Sequence, residues 1–191
     1  MACELCLTPS VMADIAKPVW GDLTLFREMI IDKRWCMSKL PAQVAEFLRA
    51  RGIAVVGVSR DSQQPANYIY RKLKGSGHEV FAVNPNASQL EGGPSYPDLR
   101  SIAQPVDAVV IATHPSVAPQ IARDCIDIGI RRVWFHRSFG EGSVSQEAVR
   151  SCNQAGIDCI VGGCPMMYCD PIDVGHRCMR WVLKLSNRVP G

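Results

Sequence analysis

Residues 53–59 read Ile-Ala-Val-Val-Gly-Val-Ser, and no other stretch limits the possible folds as tightly. Ile53, Ala54, Val55 and Val56 are four consecutive small or β-branched apolar residues. A strand of that kind is buried on both faces rather than on one. The run then meets Gly57, Ser59, Arg60, Asp61 and Ser62, and a helical pattern begins near Ala66. A buried strand that turns through glycine and small polar residues into a helix aims backbone N–H groups outward and favours an anion. The stretch is expected to be the first strand of a parallel sheet, with its loop as the ligand site.

The pattern recurs along the chain. Further apolar strands are expected over residues 79–83, 107–112, 131–135 and 157–161, and helices over 66–75, 117–128 and 145–155. A short helix carrying Val44, Phe47 and Leu48 precedes the first strand, and the helix after it should bury Tyr68, Ile69 and Leu73. Residues 87–105, with Gly92-Gly93-Pro94 and Pro97, read as turns. Strands alternating with helices at this spacing define an α/β fold, here a Rossmann-like three-layer domain with a mainly parallel five-stranded sheet. Crossovers should be right-handed, and a ligand belongs at the carboxyl ends of the strands. Residues 1–40 are expected to be an extension, 41–163 the nucleotide-binding domain and 164–191 a tail with a helix. That helix should pack through Val174, Cys178, Trp181, Val182 and Leu185. In the extension, Leu25, Phe26, Met29, Ile30 and Trp35 lie near helical spacing. They are expected to form an arm that packs on the core or on a second subunit, so a homodimer is one expected arrangement. Met12 and Met37 both precede the core, which leaves the natural translation start open.

Composition narrows the function. With 47% hydrophobic and 20% charged residues the chain is an ordinary globular sequence. No apolar run approaches the ~18 residues of a membrane span. The first residues carry no basic-then-apolar leader pattern, so a cytoplasmic protein without a membrane role is expected. A net charge of +3 is too small to point to nucleic acid and suits a small anionic nucleotide as partner. The nine cysteines read as thiols or metal ligands rather than disulfides. Cys3 and Cys6 have the two-residue spacing of metal sites, and Cys164, Cys169, His176 and Cys178 form a looser second set. Their intervals match no familiar cluster, so a metal or thiol redox protein stands only as an alternative.

The loop after the first strand decides between ligands. A dinucleotide loop carries three glycines for close approach to a pyrophosphate, and here only Gly57 is present. A nicotinamide site also places an acidic residue after the second strand, where this chain has Asn84-Pro85-Asn86. An NAD(P)-dependent oxidoreductase is therefore the lesser reading, and a nucleotide with a phosphorylated ribose the better one. Arg60 lies in the loop as a candidate ligand contact, whereas Arg71, Lys72 and Lys74 read as a solvated helix face. His114, His136 and His176 are the candidate acid–base groups, with Glu141 a possible partner of His136, and Cys164 reads as a buried structural thiol.

The segments 53–59, Val83-Asn84-Pro85, 107–111, Val133-Trp134 and Cys164 together resemble the small bacterial CoA-binding domain proteins. These are similar to the nucleotide-binding domain at the N-terminus of the succinyl-CoA synthetase alpha subunit. The resemblance covers about residues 42–164 and implies a Rossmann-like fold with coenzyme A as ligand. It implies that Gly57, Val58 and Ser59 line the phosphate loop and that Asn84 and Pro85 flank the adenosine phosphate. Thr113, His114 and Pro115 would border the nucleotide or pantetheine path. The loop 137–142, which includes Ser138, would sit near the thiol end. His136 departs from the glutamine of many relatives. The synthetase's phosphohistidine belongs to a different domain, so neither His114 nor His136 inherits its role. The first expectation is accordingly a binding protein that holds coenzyme A or an acyl-CoA without chemistry of its own.

Overall fold

A computed structural model of the chain describes residues 40–138, 142–185 and 189–190. The expected arm at 23–35, the pair Cys3 and Cys6, and Glu141 lie outside the described residues. The first helix, α1 (Ala42–Phe47), leads into β1 (Gly52–Val56), α2 (Pro65–Gly75) and β2 (Glu79–Val83). A hairpin of β3 (Gln89–Leu90) and β4 (Gly93–Tyr96) follows. The chain continues through β5 (Ala108–Ile111), α3 (Ala118–Asp127), β6 (Arg132–Phe135), α4 (Gln146–Gln154) and β7 (Asp158–Val161). A 3-10 turn, Pro165–Met167, and α5 (Val174–Leu185) complete it.

The sheet order is β3-β4-β2-β1-β5-β6-β7. Every pairing from β4 across to β7 is parallel, and only β3 with β4 is antiparallel. The expected five-stranded sheet is corrected to seven strands. The five expected strands are β1, β2, β5, β6 and β7, and the additional pair is the hairpin in the stretch read as turns. Glu91 and Gly92, at φ 52° and 73°, make its two-residue turn with both residues left-handed, the conformation that matches strand twist.

Alternation along the buried strands divides the core into two layers. Ile53, Val55, Ala82, Val110 and Trp134 face α1, α2, the 3-10 turn and α5. Ala54, Val56, Phe81, Val109 and Phe135 face α3 and α4. Trp134 is fully buried, meets Phe47 edge to face at 5.2 Å, and donates its indole N–H to the Gly162 carbonyl at 2.9 Å. Local signals place the helices: Pro65 opens α2, and the Ser145 hydroxyl caps α4 by accepting from the Ala148 amide.

Two assignments of helix faces are corrected. In α2, Tyr70 is buried with Ile69 and Leu73, while Tyr68 is exposed beneath the Arg71 guanidinium at 4.6 Å. In α5, Leu183 faces the core with Met179 at its margin, and the expected packing face is the outer one. Val174, Trp181 and Leu185 are 74%, 67% and 73% exposed, and Cys178 is exposed rather than a core residue. Among the described residues no helix is long and apolar enough to cross a membrane.

Candidate ligand-binding site

The sheet reverses direction at β1. From β1 the chain moves to β2 and the hairpin on one side, then returns to β5, β6 and β7 on the other. Such a switch point opens a crevice beyond the carboxyl ends of the two central strands. Gly57 stands there, at φ 107°, with its amide donating to the Val83 carbonyl at 3.1 Å. A Cβ at Gly57 would lie 2.5 Å from the Ala112 carbonyl oxygen and 3.0 Å from Thr113 Cγ2. The absence of a side chain is therefore what lets the β1 loop close against the end of β5.

The loop beyond Gly57 is held from behind by side chains. Asn67, fully buried in the first turn of α2, accepts from the Ser59 amide at 3.0 Å and donates to the Ser59 carbonyl at 2.7 Å. Its amide also donates to Glu91 Oε1 at 2.6 Å, and Arg71 donates to the same oxygen at 2.7 Å. Arg71 further donates to the Ser62 carbonyl at 3.0 Å, so the turn of the β3–β4 hairpin braces the loop through Glu91. Burial raises the proton affinity of Glu91. The hydrogen bonds from Asn67 and Arg71, with the charges of Arg71 and Lys74, outweigh it and hold the carboxyl below the ordinary glutamate range. From β2, Asn84 donates to the Val58 carbonyl at 2.6 Å and accepts from the Asn86 amide at 2.7 Å. Arg60 closes the same corner by donating to the Asn86 carbonyl. Asp61 accepts from the Gln63 amide and the Gln64 side chain, and these bonds keep its carboxyl low. Among the described residues, the amides of Val58, Arg60 and Ser62 donate no hydrogen bond.

The far side of the crevice is built by β5 and β6. His114 is exposed and shares a hydrogen bond of 2.8 Å between Nδ1 and the Ser116 hydroxyl. Ser143, 1% exposed, donates its hydroxyl to the Thr113 carbonyl at 2.6 Å and its amide to the His136 carbonyl at 2.8 Å. Gly142, at φ 61°, makes this return possible, since a Cβ there would lie 2.5 Å from the His136 carbonyl oxygen. His136 is 7% exposed, and burial pushes its imidazole down to about 4, so it is neutral at physiological pH. Its Nε2 and the Ser138 hydroxyl are 3.2 Å apart.

The structure thus gathers Gly57, Val58, Ser59, Arg60, Asn84, Pro85, Thr113, His114, Pro115 and Ser138 onto the carboxyl ends of β1, β2, β5 and β6. It does not bring the second metal set together. Among the described residues no group of three or more His, Cys, Asp or Glu side chains forms a metal cluster. His176 pairs instead with Asp173 at 2.6 Å, and Asp173 also caps α5 by accepting from the His176 amide. Burial pushes the Cys164 and Cys169 thiols up to about 12, which leaves them protonated and unreactive at neutral pH. A separate depression of about 330 Å³ lies at the amino ends of β6 and β7, lined by Ile126, Gly129–Arg131 and Ala155–Asp158. Its walls include the charged Arg131 and Asp158, and it lies at the opposite ends of the strands from the Gly57 loop.

Asn67 and Glu91 escape the sequence reading, and Arg71 proves to be ion-paired rather than merely solvated. The one available signal is Asn67 itself, a polar residue flanked on the buried side of α2 by Ala66, Ile69, Tyr70 and Leu73. Replacing Asn67 with alanine removes three hydrogen bonds and strands the Ser59 amide. The expected loss is about 2–3 kcal/mol in a urea melt. A loss below about 0.5 kcal/mol would mean that the loop does not depend on this bracket.

A glycine-opened crevice at the switch point of a parallel sheet marks the domain as Rossmann-like α/β. A model of the CoA binding domain family matches residues 51–170, and the chain belongs to that family. The chain is 31% identical over 124 residues to the ADP-forming acetate–CoA ligase II of Archaeoglobus fulgidus, a match covering 64% of this chain and 17% of the ligase. It is 25% identical over 124 residues to the uncharacterized protein YneT of Bacillus subtilis, covering 64% of this chain and 89% of YneT. The chain thus spans a small part of the ligase and most of YneT. Among solved structures, a conserved hypothetical protein from Pyrococcus furiosus is 33% identical at a TM-score of 0.51, covering 57% of this chain and 90% of that one. A dinucleotide forming acetyl-coenzyme A synthetase 1 from Ca. Korarchaeum cryptofilum is 28% identical at a TM-score of 0.52. That match covers 59% of this chain and 25% of the synthetase.

Proposed function

We propose that the chain is a cytoplasmic binding protein for coenzyme A or an acyl-CoA, with no catalysis of its own. The observation that carries this reading is the Gly57 crevice, where the amides of Val58, Arg60 and Ser62 donate to nothing in the described residues. The unused N–H groups of Arg60 and Ser62, on exposed residues beside a switch point, form a cradle for a diphosphate, with fully buried Val58 behind them. Membership of the CoA binding domain family supports coenzyme A over other nucleotides. At the end of β2, Asn84 spends its amide on the loop and presents no carboxylate to a ribose, which argues against NAD. The histidines support binding rather than turnover: His114 is engaged with Ser116, His136 is buried and neutral, and His176 is paired with Asp173. All six cysteines of the described residues are free, in keeping with a reducing compartment.

Thermal melting with coenzyme A, dephospho-coenzyme A, NAD and NADP tests the reading. A ligand held at ~100 times its dissociation constant stabilises by about 2.7 kcal/mol. Coenzyme A is expected to raise Tm most. A shift with NAD alone would favour the oxidoreductase reading instead.

A further inference from the structure

The loop between β6 and α4 contains a cation that the described residues leave unpaired. Arg137 follows His136 at the carboxyl end of β6, and its amide donates to the Gly163 carbonyl at 3.0 Å. Its Nε is buried without a hydrogen-bond partner. No carboxylate of the described residues lies within ion-pair distance of its guanidinium, whereas Arg71 and Arg100 both have acidic partners. The neighbouring His136 is neutral and adds no second positive charge beside it. The loop is closed at its base by the Ser143 amide on the His136 carbonyl and tied to β5 by the Ser143 hydroxyl on the Thr113 carbonyl. Arg137 itself is held at its main chain by the bond to Gly163.

A buried donor without an acceptor costs about 1–3 kcal/mol, so its persistence in a tied loop calls for a reason. A guanidinium is suited to one class of partner, the planar or tetrahedral oxyanion it can grip with two parallel N–H groups. The position of the loop narrows that class. In a Rossmann-like crevice the ribose sits over the end of β2 and the diphosphate against the β1 loop, so the rest of the ligand passes β5 toward β6. The end of β6 is two strand spacings, about 10 Å, from Gly57, too far for the same diphosphate to serve both.

We infer that Arg137 receives a second oxyanion of the ligand, and that this is the terminal carboxylate of an acyl group carried on coenzyme A. The inference rests on the coenzyme A reading above and specifies its substrate class: acyl thioesters ending in a carboxylate. The 3′-phosphate of the nucleotide offers the same chemistry, and the test separates the two sources.

Calorimetric titration of the full chain with malonyl-CoA, acetyl-CoA, coenzyme A and dephospho-coenzyme A is compared with the same titrations of Arg137→Gln and Arg137→Lys. The wild-type chain should bind malonyl-CoA at least tenfold more tightly than acetyl-CoA. Arg137→Gln should abolish that preference while leaving acetyl-CoA affinity within about twofold. Arg137→Lys, which keeps the charge but not the fork, should retain part of it. The unliganded Tm of Arg137→Gln should equal or exceed that of the wild type, because no internal bond is lost. If the variant instead loses only the discrimination between coenzyme A and dephospho-coenzyme A, Arg137 is an oxyanion site for the 3′-phosphate, and the carboxylate assignment is overturned. Equal losses for all four compounds, no loss for any, or a fall in the unliganded Tm would overturn the oxyanion site altogether. Failure of the wild-type chain to bind any coenzyme A compound would count against the parent reading, a different outcome from uniform binding.

Discussion

Gly57→Ala is expected to lower stability by roughly 2–6 kcal/mol and to abolish nucleotide binding in whatever fraction still folds. Two costs combine. The position lies at φ 107°, where an L side chain is strained. The added methyl would also sit 2.5 Å from the Ala112 carbonyl oxygen, a main-chain atom of the adjacent strand that cannot rotate away. Relief requires β1 and β5 to separate at their carboxyl ends, which is where the cradle amides are positioned. Gly77→Ala is the appropriate comparison. Gly77 has a similar φ of 91° but nothing within 4 Å of an added Cβ. Its cost should be limited to backbone strain, about 1–3 kcal/mol, with binding intact. Urea denaturation of both variants gives the comparison directly, and equal losses would show that close approach to β5 plays no part.

The second large effect is on pH dependence. His136 is pushed by burial from an ordinary value of 6.5 down to about 4, so the unfolded chain takes up a proton that the native chain refuses. Its contribution to stability is fully present above pH 6.5 and is lost as the pH falls toward 4, at up to about 1.4 kcal/mol per unit. Between pH 7.5 and pH 5 the wild-type chain should therefore lose about 2 kcal/mol through this residue alone. His136→Gln keeps a polar group of similar size near Ser138 and removes the titration, so its stability should change less over the same interval. Parallel denaturant midpoints for the two proteins across that range would show that His136 is already solvated in the folded chain.

Much of this architecture was legible because the parallel strands are read by burial on both faces. Ile53–Val56, Ala108–Ile111 and Val133–Phe135 are unbroken apolar runs, and each became a strand within one or two residues of its expected limits. The β3–β4 hairpin was not legible. β3 has two residues, and β4 is Gly-Pro-Ser-Tyr, whose first two residues have poor strand propensity. Its place is set by pairing with β2 and by Glu91 reaching back to α2, contacts that are not local in sequence. The face of α5 differs from expectation because its one-sided apolar stripe, with Val174, Trp181, Val182 and Leu185, is turned away from the core, and periodicity finds an apolar face without saying what it meets. For the site, turn chemistry located Gly57 and the loop. The buried bracket of Asn67, Glu91 and Arg71 depends on tertiary contacts that no local spacing announces.

The most direct test of the central claim is amide chemical-shift mapping of the isotopically labelled chain during titration with coenzyme A. The largest changes are expected on Arg60 and Ser62, with smaller ones at Val58, Asn84, Thr113 and Ser138. Saturating coenzyme A that leaves these amides unmoved, or that shifts chiefly Gly129–Arg131 and Gly156–Asp158 at the opposite edge of the sheet, would contradict it.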